Sequence, residues 1–169
     1  QVEGAVRSIA ALGVGMTTVH ASGGAAMMEA AVRGARQGAQ EAGSAPPAVV
    51  AVTVLTSMDE ATLASVGVAD PVAEQVAGLG ALALTAGVQG VVCSPHEAAA
   101  MRALLGAGAL VVTPGVRPAG AAAGDQARIA TPAAAFAAGA SHVVIGRPVT
   151  GAADPAAAFE SIVSDIEGK

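Results

Sequence analysis

Short apolar runs alternate along this chain with longer stretches of helical spacing. Val2, Ala5, Val6, Ile9 and Leu12 recur at intervals of three and four, so the chain is expected to open inside an amphipathic helix. The run MTTVHA (16–21) follows Gly13, and Ser22 with two glycines leads into a second helical stretch, AAMMEAAVRGARQGAQ. After the breaker GSAPPA comes VVAVTVL (49–55), β-branched and too short for a helix. MDEATLASVG predicts a short helix. Asp70-Pro71 then has the form of an N-cap followed by proline at the first helical position, opening a helix to about Ala86. Strands are expected at GVVCS (90–94), LVVTPG (110–115) and HVVIG (142–146). The helix PHEAAAMRALLG begins at Ser94-Pro95, TPAAAFAAG is capped by Thr131, and DPAAAFESIVSDIE is capped by Asp154.

The strand runs are continuously apolar rather than alternating, as expected of a parallel sheet covered by helices. Five βα units of one rhythm fit either an open doubly wound sheet or part of a (β/α)₈ barrel. His20, Thr56, Ser57, Ser94, Arg117 and Arg147 all fall just past a strand's C-terminal end. An open sheet binds chiefly at one switch point, whereas a barrel builds its site from every βα loop. Polar groups at five successive strand ends therefore favour the barrel. No strand leads into G-x-G-x-x-G; GVGMTT breaks that pattern and precedes a strand.

Composition narrows the function classes. The 169 residues suit one domain. They are 53% hydrophobic and 12% charged, but the apolar content is mostly alanine and valine, with 1% aromatic residues. Alanine-rich helices on valine-rich strands suit an α/β layer architecture. No apolar run approaches the ~18 residues of a membrane span. The net charge of −5, with scattered basic residues, argues against nucleic-acid binding. The single cysteine, Cys93, can form no internal disulfide, which makes a reducing cytoplasm the default expectation. Cys93 reads as a small buried hydrophobe, His96 and His142 as solvated or strand-edge residues, and His20 as a structural hydrogen-bonding group. No His/Cys/carboxylate spacing suggests a metal.

The stretch VVTPGVRPAGAAAGDQARIATP (111–132) is unusual for so weakly charged a chain. It sets Arg117 between two prolines and follows it with Asp125 and Gln126, a combination able to grip a ligand. Taken in order, TVHASGGAAMM, VTVLTSMDE, GVVCSPHEA, TPGVRP with GDQARIATP, and VIGRPVT with DPAAAFESI closely resemble the orotidine 5′-phosphate decarboxylase family in its bacterial form. The resemblance covers essentially the whole chain.

That resemblance implies a (β/α)₈ barrel, a homodimer in the intact enzyme, orotidine 5′-phosphate and uridine monophosphate as ligands, and no cofactor or metal. It implies that this chain forms a single partial barrel domain supplying the last five strands. The first three strands, with the family's catalytic D-x-K-x-x-D segment, are expected before Gln1. By resemblance Gly146 and Arg147 bind the 5′-phosphate, Arg117 contacts phosphate, and Gln126 bridges phosphate and pyrimidine, with residues 119–124 folding over as a lid. Thr56 and Ser57 read the base. A competing reading makes Ser57 the cap of the short helix that follows. The family's second arginine is replaced by Ala127, with Arg128 next.

The residues themselves carry one further test. Decarboxylation at an unactivated ring carbon develops carbanion character, which needs a cation nearby and an acid to protonate the carbon. Arginine stays protonated at neutral pH and is a poor proton donor. The only lysine is Lys169. The chain is therefore expected to hold a nucleotide without performing the chemistry alone. Other readings are a different phosphosugar barrel, such as a pentulose-phosphate epimerase or hexulose-phosphate synthase, and a non-catalytic nucleotide-binding half barrel. Five strands of eight are also expected to leave valine-lined inner faces exposed.

Overall fold

The computed structural model describes residues 1–118 and 130–168. Helix α1 (Val2–Ala10) leads to β1 (Met16–His20), and a 3₁₀ turn (Ala21–Gly23) leads to α2 (Ala25–Ala42). There follow β2 (Ala48–Val52), α3 (Glu60–Ser65), α4 (Val72–Thr85), β3 (Gly90–Val92), α5 (Ala98–Leu105) and β4 (Leu110–Thr113). The chain closes with α6 (Pro132–Ala137), β5 (His142–Val143), α7 (Arg147–Thr150) and α8 (Pro155–Glu167).

All five strands are parallel and pair in chain order, β1-β2-β3-β4-β5. A doubly wound sheet reverses its strand order at a switch point, and this sheet does not. Because all the strands are parallel, every βα loop leaves the same end of the sheet.

The two sheet faces differ. Val49, Ala51, Val91, Cys93 and Val111 face the helices and join Met28, Ala31, Val76 and Met101 in the main core. Val50, Val92 and Val112 face the other way and form a smaller cluster with Met16, Val52 and Leu110. These inner-face valines are buried, contrary to the expectation of exposure, because side chains on adjacent strands close over one another. Val144, beyond the last ladder, is the inner-face valine left half exposed.

Several local expectations are corrected. Asp70 makes no capping bond to α4, whose N-cap position is Pro71. Helix α5 starts at Ala98, one turn after Ser94. Ser94 still ties down the turn before it: its N–H donates to the Glu97 carboxylate at 2.8 Å, and its Oγ accepts from the His96 N–H at 3.2 Å. Thr131 and Asp154 cap as expected, accepting from the N–H groups of Ala134 and Ala157 at 3.2 and 3.0 Å.

Helices α1 and α2 approach backbone to backbone at Gly34 and Gly38. A Cβ on Gly38 would collide with the Arg7 carbonyl oxygen and lie 2.9 Å from the Ala10 Cβ. Exposed ion pairs flank this contact, Arg7–Glu41 at 2.8 Å and Arg33–Glu3 at 3.1 Å. Gly78, exposed on α4, has open space where its Cβ would stand. Alanine at Gly78 should therefore stabilise the fold by about 0.5–1 kcal/mol through helix propensity. Alanine at Gly38 should destabilise it by about 1–3 kcal/mol through overpacking. Thermal or urea unfolding of the two variants checks the opposite signs.

Candidate functional site

The βα loops at the C-terminal end of the sheet carry the candidate residues. On β4 the chain passes from Thr113 through Pro114 to Gly115, whose φ of +75° is a left-handed conformation suited to glycine. Val116 is then fully buried against Ala135, Ala140, Val143 and Ile145, and pairs in parallel with Ala130. The Arg117 N–H donates to the Ala130 carbonyl at 2.9 Å. Val116 and Arg117 are thus held to Ala130. Arg117 is restrained as expected, but it does not project outward: it is 8% exposed, and Nη1 donates to the Val116 carbonyl at 2.9 Å. Among the described residues no carboxylate pairs with it. Asp125, Gln126, Ala127, Arg128 and the expected lid at 119–124 lie outside the described residues.

Strand β5 stands beside β4, with Val112 opposite His142 and Thr113 opposite Val143. Gly146 caps the short α7, which begins at Arg147 and carries Pro148 in its first turn. Both Gly146 and Arg147 are exposed, and a Cβ on Gly146 would project into open space. Arg117 and Arg147 therefore leave neighbouring strands at the same end of the sheet, each four residues past the last paired position.

Arg102 uses its guanidinium to join loops at the other end of the sheet. Its Nε donates to the Gly139 carbonyl at 3.0 Å, and Nη1 donates to those of Gly106, Ala107 and Ala109 at 2.8, 3.1 and 2.7 Å. It ties together the loops before β4 and β5. Its charge is committed to structure.

At the other side of the site, Thr56 is buried and Ser57 exposed. The cap of α3 is Asp59, whose Oδ1 accepts from the Thr62 N–H at 2.8 Å and from Thr62 Oγ1 at 2.7 Å. The competing reading of Ser57 as that cap is therefore overturned. At roughly 4.8 Å per strand, the β2 loop stands about 10 Å from the β4 loop and 14 Å from the β5 loop, measured along the sheet.

His20 is exposed at the end of β1, and its imidazole makes no hydrogen bond among the described residues, against the expectation of a structural bond. With Ser22, Thr53, Met58 and Gln75 it lines a cavity of about 200 Å³ beside the β2 loop. A larger cavity, about 290 Å³, lies beside Pro47, Ala48 and Gln89 at the strands' opposite end, remote from the candidate residues. His142 is exposed, its Nδ1 3.0 Å from Ser141 Oγ, and Cys93 is fully buried. No group of three or more metal-binding side chains occurs among the described residues, and no helix there is long and apolar enough to cross a membrane.

Sequence reasoning missed the carbonyl-binding role of Arg102, the Asp59 cap, and the buried hydroxyls of Thr53 and Thr113. Only Asp59 carried a local signal, its place just before a helical run.

The family model "Orotidine 5′-phosphate decarboxylase / HUMPS family" matches residues 1–162. An orotidine 5′-phosphate decarboxylase from Anaeromyxobacter dehalogenans is 56% identical over 165 residues, covering 98% of this chain and 69% of that protein. The crystal structure of orotidine 5′-phosphate decarboxylase from Lactobacillus acidophilus superposes with a TM-score of 0.84 at 39% identity, covering 98% of this chain and 69% of the other. The Pyrococcus horikoshii structure of that name, at 19% identity and a TM-score of 0.61, is similar in fold alone.

The hydrogen bond from the Thr62 hydroxyl, then that from its N–H, holds the Asp59 carboxyl below the usual carboxylate range. A depressed folded pKa means that the cap's contribution is present above the unfolded pKa and is lost as pH falls through the folded value. An NMR titration of the Asp59 carboxyl should show a midpoint below that of an ordinary aspartate. Asp59→Ala should fray α3 at neutral pH, read as faster amide exchange at Leu63, and Asp59→Asn should restore most of the cap.

Proposed function

Because the chain belongs to the orotidine 5′-phosphate decarboxylase / HUMPS family, we propose that it carries the phosphate-binding and base-reading part of a site that converts orotidine 5′-phosphate to uridine monophosphate and carbon dioxide. The observation that carries this reading is the pairing of β4 with β5. It sets the Arg117 and Arg147 loops side by side at the sheet end that also holds Thr56 and Ser57.

Arg147 and the opening of α7 take the 5′-phosphate, since a guanidinium can engage two phosphate oxygens and Gly146 leaves the backbone approachable. Arg117 grips the same phosphate from β4, and Gln126 bridges phosphate and base. The hydroxyls of Thr56 and Ser57 donate to and accept from the pyrimidine's carbonyl and N–H groups. Two to three strand spacings separate these loops, a span suited to a nucleotide lying across the strand ends.

In the reaction, the bond from the ring carbon to the carboxylate breaks. The electron pair stays on that carbon, carbon dioxide leaves, and a proton replaces it. The proton and the stabilising cation come from an ammonium group outside residues 1–168, on the D-x-K-x-x-D segment expected by resemblance. The chain then supplies the last five βα units of an eightfold barrel as a single partial domain, and the intact enzyme works as a homodimer without cofactor.

The 169-residue chain alone should show no decarboxylation above background, while joining it to a segment bearing the first three strands should restore turnover. Activity of the purified chain alone, abolished by Arg147→Ala, would refute the assignment of the chemistry to that segment.

In the complete enzyme, Arg147→Ala should weaken uridine monophosphate far more than uridine. A charged bond to phosphate contributes roughly 1.5–3 kcal/mol, or about one to two decades of affinity. Thr56→Ala should weaken both ligands alike. Equal losses of both ligands in Arg147→Ala would make that residue structural.

A further inference from the structure

Thr53 and Thr113 occupy equivalent places on alternate strands. Thr113 ends β4, and Thr53 is the first residue beyond β2. Both are buried, 0% and 7% exposed. Thr53 Oγ1 donates to the Val92 carbonyl at 3.0 Å, and the same carbonyl accepts the Thr53 N–H at 3.0 Å. Thr113 Oγ1 donates to the His142 carbonyl at 3.3 Å, while the Thr113 carbonyl accepts the Val144 N–H at 2.9 Å. In each case a side-chain hydroxyl ties the last rung of a parallel ladder to the following strand.

Packing alone does not call for a hydroxyl at these positions. The residues below them on the same face, Val49 and Ala51 on β2 and Val111 on β4, are apolar members of the main core. Valine would fill a threonine's volume there without placing a donor in a buried environment. Each carbonyl has a second lone pair, however, and the hydroxyl occupies it. The bonds fall where the regular ladder stops and the chain turns into a ligand-bearing loop. Thr56 lies three residues past Thr53. Arg117 lies four past Thr113, and Val144, bonded to Thr113, stands three before Arg147. The β4–β5 ladder has only two paired positions. Its other hydroxyl tie is at the opposite end, where Ser141 Oγ donates to the Val111 carbonyl at 3.1 Å and accepts from the Val111 N–H at 2.9 Å.

We propose that Thr53 and Thr113 are positioning residues, Thr53 for the base-reading loop and Thr113 for the two-arginine phosphate grip. Neither touches the ligand. Each fixes the point from which a binding loop departs, so each controls one half of nucleotide recognition. This inference rests on the ligand assignments proposed above.

The test measures binding of uridine, ribose 5-phosphate and uridine monophosphate to the complete enzyme by calorimetry. Thr113→Val should weaken ribose 5-phosphate and uridine monophosphate by about five- to tenfold and leave uridine within about twofold. Thr53→Val should weaken uridine and uridine monophosphate by a similar factor and leave ribose 5-phosphate unchanged. Thr113→Ser and Thr53→Ser keep the hydroxyl and should retain wild-type discrimination. Equal losses on all three ligands, no loss on any, or serine variants no better than valine variants would overturn the proposal. A Thr113→Val protein that unfolds while Thr113→Ser folds would assign the hydroxyl to stability and overturn it too. Failure of Arg147→Ala and Thr56→Ala to separate phosphate from base would instead refute the site assignments. If those variants separate the ligands and the threonine variants do not, only the present inference falls.

Discussion

A parallel strand cannot be joined to its neighbour by a tight turn, so the chain must cross back over the sheet between strands, here through helices. Parallel strands all end at the same rim, and because crossovers share one hand, strands that also pair in chain order send every crossover over the same face. That constraint gathers Thr56, Arg117 and Arg147 although the first and last lie 91 positions apart in the sequence. It also puts the helices on one face, leaving the other to the small valine cluster of Val50, Val92 and Val112.

The βα rhythm was legible because alanine-rich helical runs and β-branched strand runs differ in both length and composition. The strand ends were not. The readings 49–55, 90–94 and 110–115 run past the ladder because burial continues beyond pairing, whereas 142–146 runs past it through a half-exposed Val144 that is apolar without being buried. Val54 and Cys93 are 4% and 0% exposed although neither lies in a strand. A hydrophobic pattern reports burial, not hydrogen bonding. The same limit explains Asp70, whose cap-like position before proline was visible while the direction of its carboxylate was not. Of the candidate site, the rim placement of Thr56, Ser57, Arg117 and Arg147 was legible from position after a strand. The inward turn of Arg117 was not, because it depends on Val116 seating among residues from α6 and β5.

The arginines illustrate how context divides one residue type into roles. Arg102 spends its donors on four carbonyl groups and closes two loops at the far end of the sheet. Arg7 and Arg33 lie on the surface across the α1–α2 contact, where solvent screens their pairing with Glu41 and Glu3. Arg117 and Arg147 stand at the loop end. The chain has few cations, and their distribution follows the fold closely.

Strand β5, at two residues, is the shortest of the five and stands at the sheet's edge. Few backbone bonds oppose its local opening, so this corner belongs to the low-stability end of the molecule. A ligand bridging the loops after β4 and β5 would add bonds across that seam and draw the edge strand into the cooperative unit formed by β1 to β4. Ligand binding and the firming of this edge would then be one thermodynamic event, with occupancy of the site setting how tightly β5 is held to β4.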